Sequence, residues 1–203
     1  MNHYINLRIG TGRRVAITTL LCFGMLSGSL PSMAEEAKKE APEYKESVGN
    51  YKLPDVSVVR QDGKKLSLIK ELDDGRPVIM NFIFASCSAI CPMLSHVFSK
   101  VEGKLTEKGQ KFHLVSISID PENDTPAKLN EYAHKFEAGS NWDFYTGTIE
   151  TSVAIQKAFN VYRGDKMNHS SVILMRAAPG KSWLRLEGFM SPGEVVHEYG
   201  ELK

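Results

Sequence analysis

The segment Val78-Ile79-Met80-Asn81-Phe82-Ile83-Phe84-Ala85 carries one polar side chain, Asn81. A strand of that pattern has to be covered on both faces, which places it inside a parallel or mixed sheet flanked by helices. It runs directly into Cys87-Ser88-Ala89-Ile90-Cys91-Pro92 and then into Leu94, Val97, Phe98, Val101 and Leu105, apolar positions at helical spacing that end at Gly109. Pro92 suits the first position of that helix. Two thiols therefore stand where a buried strand gives way to a helix.

Around this junction the chain alternates strands and helices. Val56 to Val59 and Leu66 to Leu68 flank the turn signal Asp62-Gly63, which predicts a β-hairpin, and Ser67 suits the cap of a short helical turn. Phe112 to Ile119 is a second buried strand, Thr125-Pro126 starts a helix that ends near Gly139, Trp142 to Tyr145 is a short strand, and Glu150 to Phe159 is a helix. Ser171 to Met175 and Trp183 to Glu187 form a hairpin around Ala178-Pro179-Gly180, and Ser191-Pro192-Gly193-Glu194 opens a last helix as a capping box. The fold class expected is α/β: a mixed central sheet flanked by helices, with an N-terminal β-hairpin.

The chain has 203 residues, enough for one sizeable core, and 25 Lys+Arg against 24 Asp+Glu give a net charge of +1. Nothing in that balance calls for a nucleic-acid partner. Residues 1–34 hold Arg8, Arg13 and Arg14 and no acid, then the apolar run Val15 to Leu30, then Ser32 and Ala34 before Glu35. This is the pattern of a cleaved export signal; left uncleaved, it would tie the chain to a membrane. The run of about 16 residues is short against the roughly 18 to 20 that span a bilayer, which favours cleavage. Residues 35–50 are polar and charged, poor in large apolar side chains, and are expected to form a flexible tether ahead of a domain over residues 51–203. Cys22 would leave with the signal, so the exported chain keeps only Cys87 and Cys91, in a compartment where disulfides persist.

At a helix start the free amides and the dipole stabilise a thiolate, and Cys91 is placed to benefit. Residues four apart on a helix bring their Cβ atoms to about 5–6 Å, whereas a disulfide needs about 3.5–4.5 Å. A loop between the two cysteines closes that gap, so an oxidised and a reduced, metal-ligating state are both within reach. Two thiolates suit Cu(I) or Zn(II), and an imidazole would complete a three-coordinate site. His96, His113, His134 and His197 read as ordinary surface or partly buried residues; His169 ends a loop just before an apolar strand, where ligands collect, and its residues alone leave a ligand role and a structural role both open. Met80 and Met93 read as core filler, and Met167 as an auxiliary soft ligand. The Asp120 to Pro126 stretch reads as turn and cap chemistry, with Asp124 a candidate for docking or proton handling.

Three motifs together resemble the Sco/SenC copper proteins, which take part in assembling cytochrome c oxidase: Cys87-x-x-x-Cys91-Pro92 after an aromatic strand, Asp120-Pro121-Glu122-Asn123-Asp124-Thr125-Pro126, and His169-Ser170 before an apolar strand. The resemblance covers essentially residues 50–203. It implies a thioredoxin-like fold, an exported and often membrane-anchored protein, and one copper ion held by Cys87, Cys91 and His169. It also implies a partner, the copper-receiving subunit of a respiratory oxidase, with its CuA site as the destination. The chain departs from the pattern in two places: Ser88-Ala89-Ile90 stands where relatives commonly carry Pro and Asp, and Asn168 where they commonly carry Asp.

Two other readings of the thiols remain. As a redox pair, Cys87 and Cys91 would make a thiol-disulfide oxidoreductase, although three intervening residues differ from the two of thioredoxin-type enzymes. As a structural disulfide they would close a loop too short to add much stability.

Overall fold

The computed structural model describes residues 44–202. In it the strand β4 (Val78–Ile83) is buried along its whole length and lies in the interior of an eight-stranded mixed sheet. The other strands are β1 (Tyr44–Gly49), β2 (Ser57–Arg60), β3 (Lys65–Ser67), β5 (His113–Ser118), β6 (Trp142–Thr146), β7 (Val172–Arg176) and β8 (Trp183–Gly188), in the order β1-β8-β7-β4-β5-β6-β2-β3. β4 and β6 flank β5 in parallel, and β7 joins β4 antiparallel. The helices are α1 (Leu68–Leu72), α2 (Ile90–Glu107), α3 (Pro126–Lys135), α4 (Ile149–Ala158) and α5 (Pro192–Gly200).

Side chains that alternate along β4 feed two cores. Ile79 and Ile83 join Phe98 and Val101 of α2, Leu129 of α3, Val195 of α5, Trp142 and Phe144 on one face. Val78, Met80 and Phe82 join Leu68 and Leu72 of α1, Ile155 of α4, Phe159 and Trp183 on the other. The one polar residue of β4 is satisfied through its oxygen: Ser116 Oγ donates to Asn81 Oδ1 (2.7 Å) and in turn accepts from Trp142 Nε1 (2.9 Å). Local chemistry agrees with the sequence at most ends. Thr125 Oγ1 accepts from Lys128 N (3.3 Å), and the Ser191/Glu194 capping box is formed. Gly63, at φ 83°, supplies the left-handed turn of the β2–β3 hairpin. Ser67 precedes α1, but its hydroxyl makes no capping bond.

The expected tether over 35–50 needs correction. Tyr44–Gly49 is a strand paired residue for residue with β8, from Tyr44 opposite Gly188 to Gly49 opposite Trp183. Its only apolar anchor is Tyr44, whose hydroxyl donates to Glu198 Oε1 (2.8 Å). The other side chains face solvent at the sheet edge, so backbone pairing holds the strand and composition gives no sign of it. Residues 35–43 and the candidate export signal lie outside the described residues.

His113, read as an ordinary residue, is fully buried at the start of β5, with Nε2 3.0 Å from Asp143 Oδ2 and Nδ1 3.7 Å from Asp74 Oδ2. Burial pushes the Asp143 carboxyl up, but His113, Arg60 and Gln61 more than offset it and hold it below the usual carboxylate range. That stabilisation is present above the unfolded carboxyl's pKa of about 4 and is lost as pH falls through the lower folded value. Asp143→Asn is therefore expected to be less stable than the wild type toward urea at neutral pH and to converge on it as pH falls through the lowered pKa of the folded carboxyl. A stability gap that stays constant over this range would show that the carboxylate charge is not what matters.

Candidate metal centre

The thiols lie beyond the C-terminal end of β4. Phe84 is buried there, and its carbonyl accepts from Cys87 N (3.1 Å), which folds the loop back on itself. Helix α2 then begins at Ile90, two residues before Pro92, so the proline lies within the first turn, where a missing N–H leaves no bond unmade. No side chain of the residue before α2 caps the helix. The sulfur of Cys87 takes that place, accepting from Cys91 N at 3.5 Å.

This reverses the expected roles of the thiols. Burial pushes the partly exposed Cys87 up, but amides of Cys91, Ala89 and Ile90 and the Cys91 thiol outweigh it, and its pKa falls below the ordinary value. Cys91, the residue expected to gain from the helix start, is fully buried, and burial drives its thiol well above the ordinary range. With the helix starting at Ile90, Cys91 lies inside the first turn while Cys87 faces the open amides.

His169 comes from the loop ahead of β7, the strand paired with β4, after a 3-10 turn (Lys166–Asn168). Its Nδ1 lies 3.0 Å from the carbonyl of Lys166. A carbonyl only accepts, so Nδ1 carries the proton and the lone pair of Nε2 faces Cys91 Sγ at 3.4 Å. Burial lowers the imidazole pKa, against a smaller opposing effect of the Lys166 carbonyl, and keeps the ring in its neutral, ligating form. Phe84 meets the ring edge-on with centroids 5.3 Å apart.

Cys87 Sγ, Cys91 Sγ and one His169 nitrogen all lie within 4.8 Å of one another. Donors on one ion at about 2.0–2.3 Å are at most about 4.6 Å apart, so this trio closes on a single ion with small shifts. Two sulfurs and a neutral imidazole make a soft donor set, which fits copper or zinc. Among the described residues, no other group of three Cys, His, Asp or Glu side chains comes together in this way. His96, His134 and His197 are exposed and take no part. Met80 is core as expected; Met93, expected to be core as well, is 49% exposed at the start of α2, and Met167 is 71% exposed on the 3-10 turn beside His169.

Asp124 is a support rather than a surface group. It is 1% exposed, and its carboxylate accepts from Ala85 N (3.1 and 3.2 Å) and Ser118 Oγ (2.6 Å). It thus ties the cysteine loop to the end of β5. Sequence reasoning located this acid but not its partner, because Ala85 offers only a backbone amide.

Among the described residues, no helix is long and apolar enough to cross a membrane. The SCO1/SenC family model matches residues 46–201. A SCO1 protein homolog of Bacillus subtilis is 33% identical over 105 residues, 51% of this chain and 53% of that protein. The chain thus spans about half the length of this curated relative. Among solved structures, BsSco, described as a member of the Sco family of cytochrome c oxidase assembly proteins with a disulfide switch, is 27% identical with a TM-score of 0.64, covering 76% of this chain and 95% of that one. Arabidopsis thaliana ScoI with copper bound is 25% identical with a TM-score of 0.63, covering 76% and 97%. The mixed sheet and its helices are accordingly the thioredoxin-like fold of these proteins, and the chain belongs to the SCO1/SenC family.

Proposed function

We propose that this protein is an exported copper metallochaperone that carries one copper ion on Cys87, Cys91 and His169 and delivers it to the CuA site of a respiratory oxidase. The observation that carries this reading is the convergence of two thiols and one neutral imidazole within 4.8 Å. Arabidopsis ScoI is a relative with copper bound, and BsSco is a member of a family of cytochrome c oxidase assembly proteins. The N-terminal segment, with its export pattern, supports a periplasmic location and, uncleaved, a membrane tether.

The three donors divide the work. Cys87 is partly exposed and is the first contact for an arriving ion or an acceptor's ligands. Cys91 and His169 Nε2 form the inner wall, and the Lys166 carbonyl keeps the imidazole proton off the ligating nitrogen. Three-coordination with one donor open to solvent lets an acceptor displace ligands one at a time.

A copper(I) titration of the reduced protein is expected to end at one equivalent. His169→Ala is expected to weaken binding by more than the roughly 10- to 100-fold lost when a group that merely orients a ligand is removed. Failure of the wild type to bind copper, or unchanged affinity in His169→Ala, would overturn the reading. A second reading, thiol-disulfide oxidoreductase through Cys87 and Cys91, draws on the two free thiols of unequal exposure, an attacking Cys87 and a resolving Cys91. Turnover of a model disulfide that His169→Ala leaves intact would favour it.

A further inference from the structure

The loop that carries His169 is held to the rest of the protein at few points. Asp165 accepts from Met167 N (2.9 Å) and Asn168 N reaches Asp165 O (3.0 Å), while the Arg163 guanidinium bonds Asn160 O and Tyr162 O (3.1 and 3.0 Å). All of these are local. Tyr162, Arg163, Gly164, Asp165, Met167 and Asn168 are exposed. Behind the loop lies a cavity of about 430 Å³, bordered by Asp120, Gln156, Tyr162, Lys166 and His169. Apart from His169 itself, the hydrogen bond that ties residues 162–170 to another element, among the described residues, is the one from Lys166 Nζ to Asp120 Oδ2, at 2.5 Å.

Both ends of that bond are prepared. Asp120 is 6% exposed, and Asn123 Nδ2 donates to both of its oxygens (3.0 and 3.1 Å), which fixes the carboxylate at the end of β5. The Lys166 ammonium also lies 5.5 Å from the centre of the Phe84 ring, the ring that meets His169 edge-on. At the other end of the same residue, the Lys166 carbonyl accepts from His169 Nδ1 (3.0 Å) and His169 N (3.2 Å). One residue therefore holds the imidazole by its backbone and anchors the loop by its side chain.

We propose that the Lys166–Asp120 ion pair is a latch that positions His169 over the thiols and so sets how tightly the third donor engages the ion. The pair joins residues 46 apart at the border of the cavity, and without it the loop keeps only its local hydrogen bonds and the contacts that His169 itself makes with Cys91 and Phe84. Lys166 and Asp120 are positioning residues: neither belongs to the donor trio. The inference rests on the copper reading for its effect on affinity, but the placement of His169 is testable without metal.

The test compares the wild type with Lys166→Met, Asp120→Asn, the double variant and Lys166→Arg, all reduced. In metal-free protein, NMR reads the His169 tautomer and the contacts between its ring and Phe84. Copper(I) titration then reads affinity. Lys166→Met and Asp120→Asn are each expected to lose the Phe84 contacts and to bind copper about tenfold more weakly, the low end for groups that orient a ligand. The double variant is expected to be no worse than either single one, because both remove one interaction. Lys166→Arg, which keeps the cation, is expected to restore the ring contacts and most of the affinity. Ring contacts that persist in both single variants overturn the latch, as does unchanged affinity in variants whose ring contacts are lost. If the wild type binds no copper, the copper reading fails on its own, and the metal-free spectra still decide whether Lys166 positions His169.

Discussion

Iodoacetamide is expected to modify Cys87 of the reduced, metal-free protein far faster than Cys91. The thiolate is the reacting species, and each pKa unit between two thiols changes its fraction by about tenfold when both lie well above the working pH. Here the two shifts run in opposite directions: the helix amides lower Cys87, and burial raises Cys91. Access adds to the difference, because Cys87 is partly exposed and Cys91 is 0% exposed. Differential labelling at neutral pH, read by mass spectrometry of the peptides, measures both rates in one sample. Cys87→Ser is expected to leave a Cys91 that is almost inert in the folded protein and reacts normally in urea. Equal rates, or faster labelling of Cys91, would show that the sulfur of Cys87 does not face the amides of the α2 start. The same asymmetry bears on both functional readings, since it makes Cys87 the outer copper donor in one and the attacking thiol in the other.

Much of the fold is legible because it depends on local pattern. The apolar run of β4, the Leu94-Phe98-Val101-Leu105 spacing of α2 and the capping box at Ser191 each announce an element from neighbouring residues alone. β1 is not legible, because an edge strand held by backbone pairing needs only one buried side chain, Tyr44. The thiol roles turn on a shift of two residues in the helix start. With Pro92 taken as the first helical residue, Cys91 lies at the helix entrance; with α2 starting at Ile90, that entrance belongs to Cys87. His169 was recognisable as a loop residue, and its place beside the cysteines came from the resemblance, since no spacing rule links positions 78 apart. The supports of the site are hidden for the same reason. Asp124 grips a backbone amide 39 residues away, and Lys166 pairs with an acid 46 residues away, so their partners appear only once β4, β5 and β7 are laid side by side.

The largest loss of stability is expected from Trp142→Ala, at about 3–5 kcal/mol, the range for truncating a large core aromatic. Trp142 is 1% exposed; its ring stacks on Phe144 with centroids 4.8 Å apart and lies 5.6 Å from Phe98 of α2. Its indole N–H also donates to Ser116 Oγ, the group that bonds Asn81 in the middle of β4. Truncation therefore opens a cavity under α2 and removes the donor of a buried chain of hydrogen bonds. Trp142→Phe separates the two effects, because it keeps much of the aromatic packing and deletes only the N–H and part of the ring. It is expected to cost about 1–3 kcal/mol, the penalty for leaving a buried polar group without its partner. In a domain of this size the alanine variant should melt roughly 10 °C lower. Urea unfolding of the three proteins under reducing conditions gives the comparison. If Trp142→Phe is as stable as the wild type, the Trp142 N–H to Ser116 bond contributes nothing, and it is the packing of the ring that steadies α2, with its Cys91, against the sheet.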